Sequence, residues 1–303
     1  MRLLLIAHGS RDPRYAASFE TLCVRLRAAG HAARVGHLDL CGPSVAEAAG
    51  LLERDAPGPF AEPIAAVPMF LNHGYHVAHD VPAAVTAARA VLVPRARIAV
   101  SAPLGPDPLL TEAMESRLRE LGVWPGDPDT AVVLASAGSS DPAARGALEA
   151  LAGRWARTGW HSVTPAYAAA AEPRAGDAVA QARSASAQAV VIASYFLAPG
   201  LLADRVAGAA ANVPMAAPFA TPEDVDPALL RLVLRRGGEA LAAVRPAPAG
   251  NTPAPPHPRA GRTRPPVSQE SSTLSRSASR SNAPAGYCGS IPSKASMSRR
   301  STA

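Results

Sequence analysis

The sequence predicts an α/β protein built from two copies of one domain, each a four-stranded parallel sheet with helices on both faces. Three observations carry this. Over residues 1–122, short apolar runs alternate with segments of helical periodicity, the pattern of a parallel sheet covered by helices. The rhythm then repeats, and LLLIAHGSRDP (3–13) aligns with VVLASAGSSDP (132–142) at five of eleven positions. FLNHG (70–74) also matches FLAPG (196–200) at Phe, Leu and Gly, so offsets of 129 and 126 residues keep register across a whole domain. A period this long marks duplicated domains rather than a solenoid.

The elements follow in order. Leu3–Ala7 is a short apolar run and reads as a buried strand. Phe19, Leu22, Cys23 and Leu26 fall at i, i+3, i+4, i+7, one face of a helix. His31–Leu40 is a second strand, and Pro43 opens a helix through Leu52, a position that proline tolerates. Pro63–Leu71 is a third strand, Asp80–Ala90 a helix, Ile98–Val100 a fourth strand and Pro108–Leu121 a fourth helix. The first domain therefore spans residues 1–122 and the second residues 129–245, joined near Gly122–Asp129. From residue 246 to 303 the chain is rich in Pro, Ser and Arg and almost free of large apolar residues. Such a segment buries too little surface to offset its ordering entropy, and disorder is expected.

Composition excludes several classes. The net charge of +6 is carried by the tail, where eight basic residues face one acid, leaving residues 1–245 at −1. The body has no electrostatic case for nucleic acid. No run of 18 apolar residues is free of charge, Gly or Pro, so no membrane span is expected. The N-terminal apolar run is too short for a signal peptide, and no small-residue cleavage site follows it. Cys23, Cys41 and Cys288 are odd in number and lack CxxC spacing, which removes zinc ribbons and cysteine-ligated clusters and fits a reducing cytoplasm.

The candidate chemistry lies at strand ends, where parallel α/β sheets bind ligands. His8 ends the first strand and opens the loop HGSRDP, in which Gly9 permits a sharp turn and Asp12 before Pro13 can cap the next helix. The third strand runs into NHGYHVAHDVP, with His73, His76 and His79 close together and Asp80 placed to cap the following helix. If the sheet has the common 2-1-3-4 order, the His8 and His76 loops are neighbours. Two imidazoles in one cleft bind a borderline divalent metal and accept protons near neutral pH. Asp39, near the end of the second strand, can complete a facial set of ligands or serve equally well as a turn residue. The second copy holds Ala137 at the position of His8 and Leu202 or a neighbour at that of His76, while the flanking Gly, Ser, Asp and Pro remain. One half keeps the frame and has lost the chemistry, which favours a functional reading of His8 and His76.

At these residues the sequence resembles the CbiX-type sirohydrochlorin chelatases, class II chelatases of siroheme and cobalamin synthesis. The resemblance rests on a strand entering HGSR (His8–Arg11), on PMFL followed by His76 and HDVP, and on a degenerate second half carrying GSSDP (Gly138–Pro142). It covers about residues 1–245. It implies two chelatase-like domains facing each other across a substrate cleft. It further implies that His8 and His76 bind the incoming Co²⁺ or Fe²⁺ and accept pyrrole protons. Asp39 stands where two-domain members carry a glutamate metal ligand, with the same charge and a shorter reach. Ser10, Arg11, Ser139 and Ser140 are the candidate holders of substrate carboxylates, and His79 has a secondary role. No cofactor is expected beyond the substrate metal ion, and the chain has neither a Walker loop nor GxGxxG. The expected partners are a tetrapyrrole and a divalent metal, with no nucleic acid or membrane, and the chain is expected to act as a monomer.

Two other functions remain open on the sequence. A metal carrier or sensor would use the same histidines without turnover. A phosphoryl-transfer enzyme would use His8 as nucleophile, but Ala7 precedes it where histidine phosphatases carry a phosphate-binding Arg.

Overall fold

A computed structural model describes residues 1–55, 63–74, 76–92 and 97–244. The tail expected to be disordered lies outside the described residues. The first sheet is entirely parallel in the order β2-β1-β3-β4, formed by β1 (Arg2–Ala7), β2 (Ala32–His37), β3 (Ile64–Pro68) and β4 (Ile98–Val100). All six residues of β1 are buried, which is why the strand reads as a continuous apolar run rather than an alternating one. Between the strands run α1 (Pro13–Ala28), α2 (Val45–Asp55) and α3 (Val81–Val91), and α4 (Pro108–Glu120) follows β4.

The second half repeats this plan with β5 (Thr130–Ser136), α5 (Pro142–Ala156), β6 (Ser162–Tyr167), α6 (Ala175–Ser184), β7 (Ala189–Ser194), α7 (Leu201–Ala209) and α8 (Pro227–Val244). The repeated Asp-Pro pair starts a helix in both copies. The Asp12 carboxylate accepts the Arg14 N–H, and the Asp141 carboxylate accepts the Ala143 N–H. One detail of the expected fold is corrected. The second sheet has three strands, in the order β6-β5-β7, rather than four. Met215 forms only an isolated parallel bridge with Ile192 where a fourth strand would lie. Ile192 donates to the Pro214 carbonyl and accepts from Ala216. The next donor in that register would be residue 218, a proline with no N–H, so the ladder stops.

The halves exchange helices. Helix α4 follows the first sheet in the chain but packs against β7, while α8 lies on β3 and β4 and also against α4. Gly237 lets α8 approach closely, since a Cβ there would stand 2.7 Å from Leu3 Cδ2. One buried cluster therefore runs through both sheets, with Leu3, Leu5 and Val67 from the first, Val132, Leu134 and Val191 from the second, and Leu232 and Val233 from α8. Separate clusters cover the outer faces, under α2 and α3 in one half and α6 and α7 in the other.

Polar ties reinforce the exchange. Asp107 caps α4 by accepting the Leu109 N–H, and its carboxylate also takes Arg235 and Arg236 from α8. Arg117, whose side chain is 5% exposed, donates to Asp224 at 3.1 Å and to the Phe219 carbonyl. Arg14 pairs with Asp204 on the first turn of α7 at 2.5 Å, but both side chains are about half exposed. Water screens an exposed pair to about 0–1 kcal/mol, whereas stripping one partner from a buried pair costs about 3–5 kcal/mol. Asp107→Ala is therefore expected to lower stability by about 3 kcal/mol in urea unfolding, and Asp204→Ala by less than about 1 kcal/mol. Equal losses would show that burial does not rank these ties.

Candidate active site

The β1–α1 loop is locked at the carboxyl edge of the first sheet. Beyond β1 and β2, Leu38 donates to the Ala7 carbonyl and Asp39 to the His8 carbonyl. Gly9 then turns with φ of +100°, and a Cβ at this position would lie 1.8 Å from the Asp39 carbonyl oxygen. Only glycine fits both the left-handed conformation and the contact. Ser10 Oγ accepts the Asp12 N–H at 3.0 Å, which closes the loop onto the start of α1. His8 is left at the end of a rigid strand, with Nδ1 3.2 Å from the Gly9 carbonyl oxygen.

The β3–α3 connection brings in the second histidine. Met69 extends the pairing by donating to the Ile6 carbonyl. The chain then forms a π-turn over His76–Asp80 before α3 begins. The His8 and His76 rings meet edge to face with centroids 4.5 Å apart, and Phe70 stacks on His76 at 6.3 Å. His76 Nδ1 lies 2.6 Å from Asp80 Oδ2. The cap expected from Asp80 is therefore corrected, because its side chain makes no capping bond to α3 and turns to His76 instead. A π-turn closes from i to i+5 and advances less per residue than an α-helix, so i and i+4 align more closely than i and i+3. His76 thus shares a face with Asp80 rather than with His79.

Asp39 is exposed and its Oδ1 accepts the Leu40 N–H at 2.7 Å, holding a turn in which Leu40 has φ of 66°. His8 and His76 come together, but among the described residues no three His, Cys, Asp or Glu side chains form a ready metal cluster. Arg11 is exposed at the loop tip and makes no side-chain hydrogen bond among the described residues. Ser139 Oγ accepts the Asp141 N–H at 3.1 Å, matching Ser10, and Ser140 is exposed. Arg145 Nη1 donates to the Ser139 and Ser140 carbonyls, bracing this loop from behind.

The second half reproduces the frame without the histidines. Gly138 has φ of +90°, and a Cβ there would sit 1.8 Å from the Ala169 carbonyl oxygen. Ala169 donates to the Ala137 carbonyl just as Asp39 does to His8, and Ala170 shares the left-handed conformation of Leu40. His8 is therefore replaced by Ala137 and Asp39 by Ala169. The offset of the FLNHG and FLAPG segments sets His76 against Leu202 and Asp80 against Val206.

Two residues near the loop escaped the sequence reading. Tyr15 lies in the first turn of α1, and burial pushes its hydroxyl up to about 12, opposed by the Gly9 backbone. Its place in the first turn of the helix that follows the His8 loop was the available signal. His37 ends β2 behind Gly9 and is 3% exposed, and neither ring nitrogen has a hydrogen-bond partner among the described residues. Burial lowers its pKa, and the Pro43 and Gly42 backbone only partly offsets this.

The model of the CbiX family matches residues 2–121 and 131–240. The chain belongs to the CbiX family. A sirohydrochlorin ferrochelatase from Priestia megaterium is 28% identical over 144 residues, 47% of this chain and 53% of that protein. A sirohydrochlorin cobaltochelatase from the same organism is 27% identical over 208 residues, 67% of this chain and 66% of that protein. The matches thus span about half to two thirds of these relatives' own length. Among solved structures, SirB from Bacillus subtilis with Fe³⁺ superposes with a TM-score of 0.63 at 22% identity, covering 80% of this chain and 96% of that one. The same protein in complex with cobalt gives 0.61 at 19% identity, covering 80% and 97%. Both share the fold of this CbiX family chain.

Two outcomes test the site's framework. Gly9→Ala and Gly138→Ala are each expected to cost more than the roughly 1–3 kcal/mol of backbone strain alone, because each Cβ would strike a carbonyl oxygen. Gly30→Ala, with φ of +82° and open space around it, is expected to show the strain only. Equal losses in urea unfolding would show that the carbonyl contact adds nothing. The second outcome concerns pH. The folded His37 ring binds a proton less readily than an unfolded one, so stability is lost as pH falls below about 6.5. His37→Tyr, which copies Tyr167 at the matching place in β6, is expected to flatten that part of the stability profile. An unchanged slope would assign the loss to other groups.

Proposed function

We propose that this chain inserts a divalent metal, Co²⁺ or Fe²⁺, into sirohydrochlorin, as a lyase of siroheme or cobalamin synthesis. The observation that carries the reading is the His8–His76 pair at the carboxyl edge of the first sheet, with centroids 4.5 Å apart, set against a second half that keeps the glycine turn of the His8 loop and neither histidine. The family match and the two curated relatives, one a ferrochelatase and one a cobaltochelatase, support the same chemistry. A single buried cluster fills the space between the sheets, so we assign the substrate to the rim beside the His8 loop, the His76 turn and the Gly138–Pro142 loop.

The chemistry follows from charge. Insertion of M²⁺ releases two pyrrole protons. Neutral imidazole can ligate the arriving ion, at about 2.0–2.1 Å for a zinc-like ion, or accept a proton. Metal and proton thus compete for the same lone pairs, and a pair of rings allows one to hold the ion while the other takes the two pyrrole protons in turn and passes each to solvent at the exposed rim. Arg11 is an exposed cation suited to a two-pronged bond with a substrate carboxylate, with Ser10, Ser139 and Ser140 as further donors. Asp39 lies in the adjoining loop, and with Oδ1 accepting the Leu40 N–H its Oδ2 remains available to the ion. Imidazole and carboxylate accept cobalt and iron alike, so the metal is set by supply or by substrate. Both copies of the domain sit in one chain, and we take it to act as a monomer.

The test is anaerobic insertion kinetics with purified protein, sirohydrochlorin and each metal. His8→Ala and His76→Ala are expected to lower the rate by about 10²–10⁴-fold, with an unchanged thermal midpoint. Metal binding without insertion by the wild type would support a carrier instead. Near-normal turnover in either variant would remove that histidine from the site. His79→Ala is expected to retain more activity than His76→Ala, and equal loss would mean that the wrong histidine of the pair has been assigned.

A further inference from the structure

We propose that Asp80 is a positioning residue that holds His76 in the Nδ1–H tautomer and aims its Nε2 lone pair at the incoming metal. This rests on the chelatase reading above and deepens it. His76 Nδ1 and Asp80 Oδ2 are in contact at 2.6 Å. An ionised carboxylate has no proton to give, so the nitrogen facing it must carry the hydrogen. A neutral imidazole has one N–H and one lone pair, so the lone pair then belongs to Nε2. Histidines that bind metal ions commonly donate their other ring N–H to a carboxylate, which sets both tautomer and ring orientation.

Four further observations separate this role from a structural one. Asp80 occupies the N-cap position of α3 but makes no side-chain capping bond, so the expected stabilising use of this residue is not made. The pair is 47% and 41% exposed, and an exposed pair contributes little to folding. The π-turn brings i and i+4 onto one face, the spacing of His76 and Asp80, instead of i and i+3. In the second half the matching positions are Leu202 and Val206, so the histidine and its carboxylate are absent together. Val206 is 1% exposed and packs in the outer cluster of that half, as an ordinary helix position does.

The decisive experiment uses the full chain, free of metal and substrate, with ¹⁵N-labelled histidine. Long-range ¹H–¹⁵N spectra at about pH 8, above the ordinary imidazole range, identify the tautomer of each ring, and His76→Ala assigns the signals. Wild type is expected to show His76 with the proton on Nδ1, and Asp80→Ala to show a mixture or the Nε2–H form. Thermal midpoints should agree within about a degree. Titration of the same proteins with Co²⁺ is expected to weaken about 10–100-fold in Asp80→Ala, with partial recovery in Asp80→Glu. In insertion assays the KM for metal should rise while that for sirohydrochlorin stays constant. An Nε2–H tautomer in wild type, or an unchanged tautomer and Co²⁺ affinity in Asp80→Ala, overturns the proposal. The tautomer is read without turnover, so a protein that inserts no metal yet shows the expected spectra would sink the chelatase reading and leave the role of Asp80 standing.

Discussion

The β1–α1 loop passes so close to the β2–α2 loop that a single hydrogen atom separates Gly9 from a clash with the Asp39 carbonyl. The rest of the rim depends on this approach. It allows the His8 carbonyl to accept from Asp39, fixes the direction in which His8 leaves β1, and seats Ser10 and Asp12 over the start of α1. The same approach recurs between Gly138 and Ala169, where no histidine follows the strand. The constraint therefore belongs to the fold, and the histidine is an addition to it. A group carried on a strand end braced in this way is held more precisely than one on a free loop.

The two copies carry different side chains on one frame. The first supplies both imidazoles, while the second supplies a matching loop with exposed Ser140 and a cationic brace, Arg145. The exchange of α4 and α8 makes this division safe. Each helix completes the core of the other half, and Asp107 and Arg117 tie the exchanged helices with buried charge. Relative movement of the halves would break those ties and open the shared core, so the two loops keep a set spacing.

The two carboxylates near the histidines show how local geometry assigns roles. Asp39, which the sequence allows as a metal ligand or as a turn residue, accepts the Leu40 N–H through Oδ1. Asp80 looked like a cap because it precedes a helix, but the π-turn brings it under His76. In both cases the residue type allowed either role. The backbone path, through a left-handed Leu40 and a widened helical turn, sets the hydrogen-bond partner that each carboxylate has in the structure.

Much of the fold was legible along the chain because it rests on local chemistry. Continuous apolar runs announce doubly covered parallel strands, Asp-Pro starts both lead helices, and the repeat of Gly, Ser, Asp and Pro reveals the duplication. The repeat also exposed His8 and His76, since their loss from the copy stands out against an unchanged frame. Three features were settled only by tertiary structure. The missing fourth strand depends on where Pro218 falls in a ladder register. The helix exchange depends on which apolar face each of α4 and α8 finds, and apolar periodicity names a face without naming its partner. The choice between His76 and His79 as the partner of Asp80 depends on a change of helical pitch over five residues. Hydrophobic pattern and turn chemistry are read from neighbours in sequence; pairing register and packing partner are set by contacts between residues far apart in it, and the meeting of the His8 and His76 rings depends on the pairing of β1 with β3.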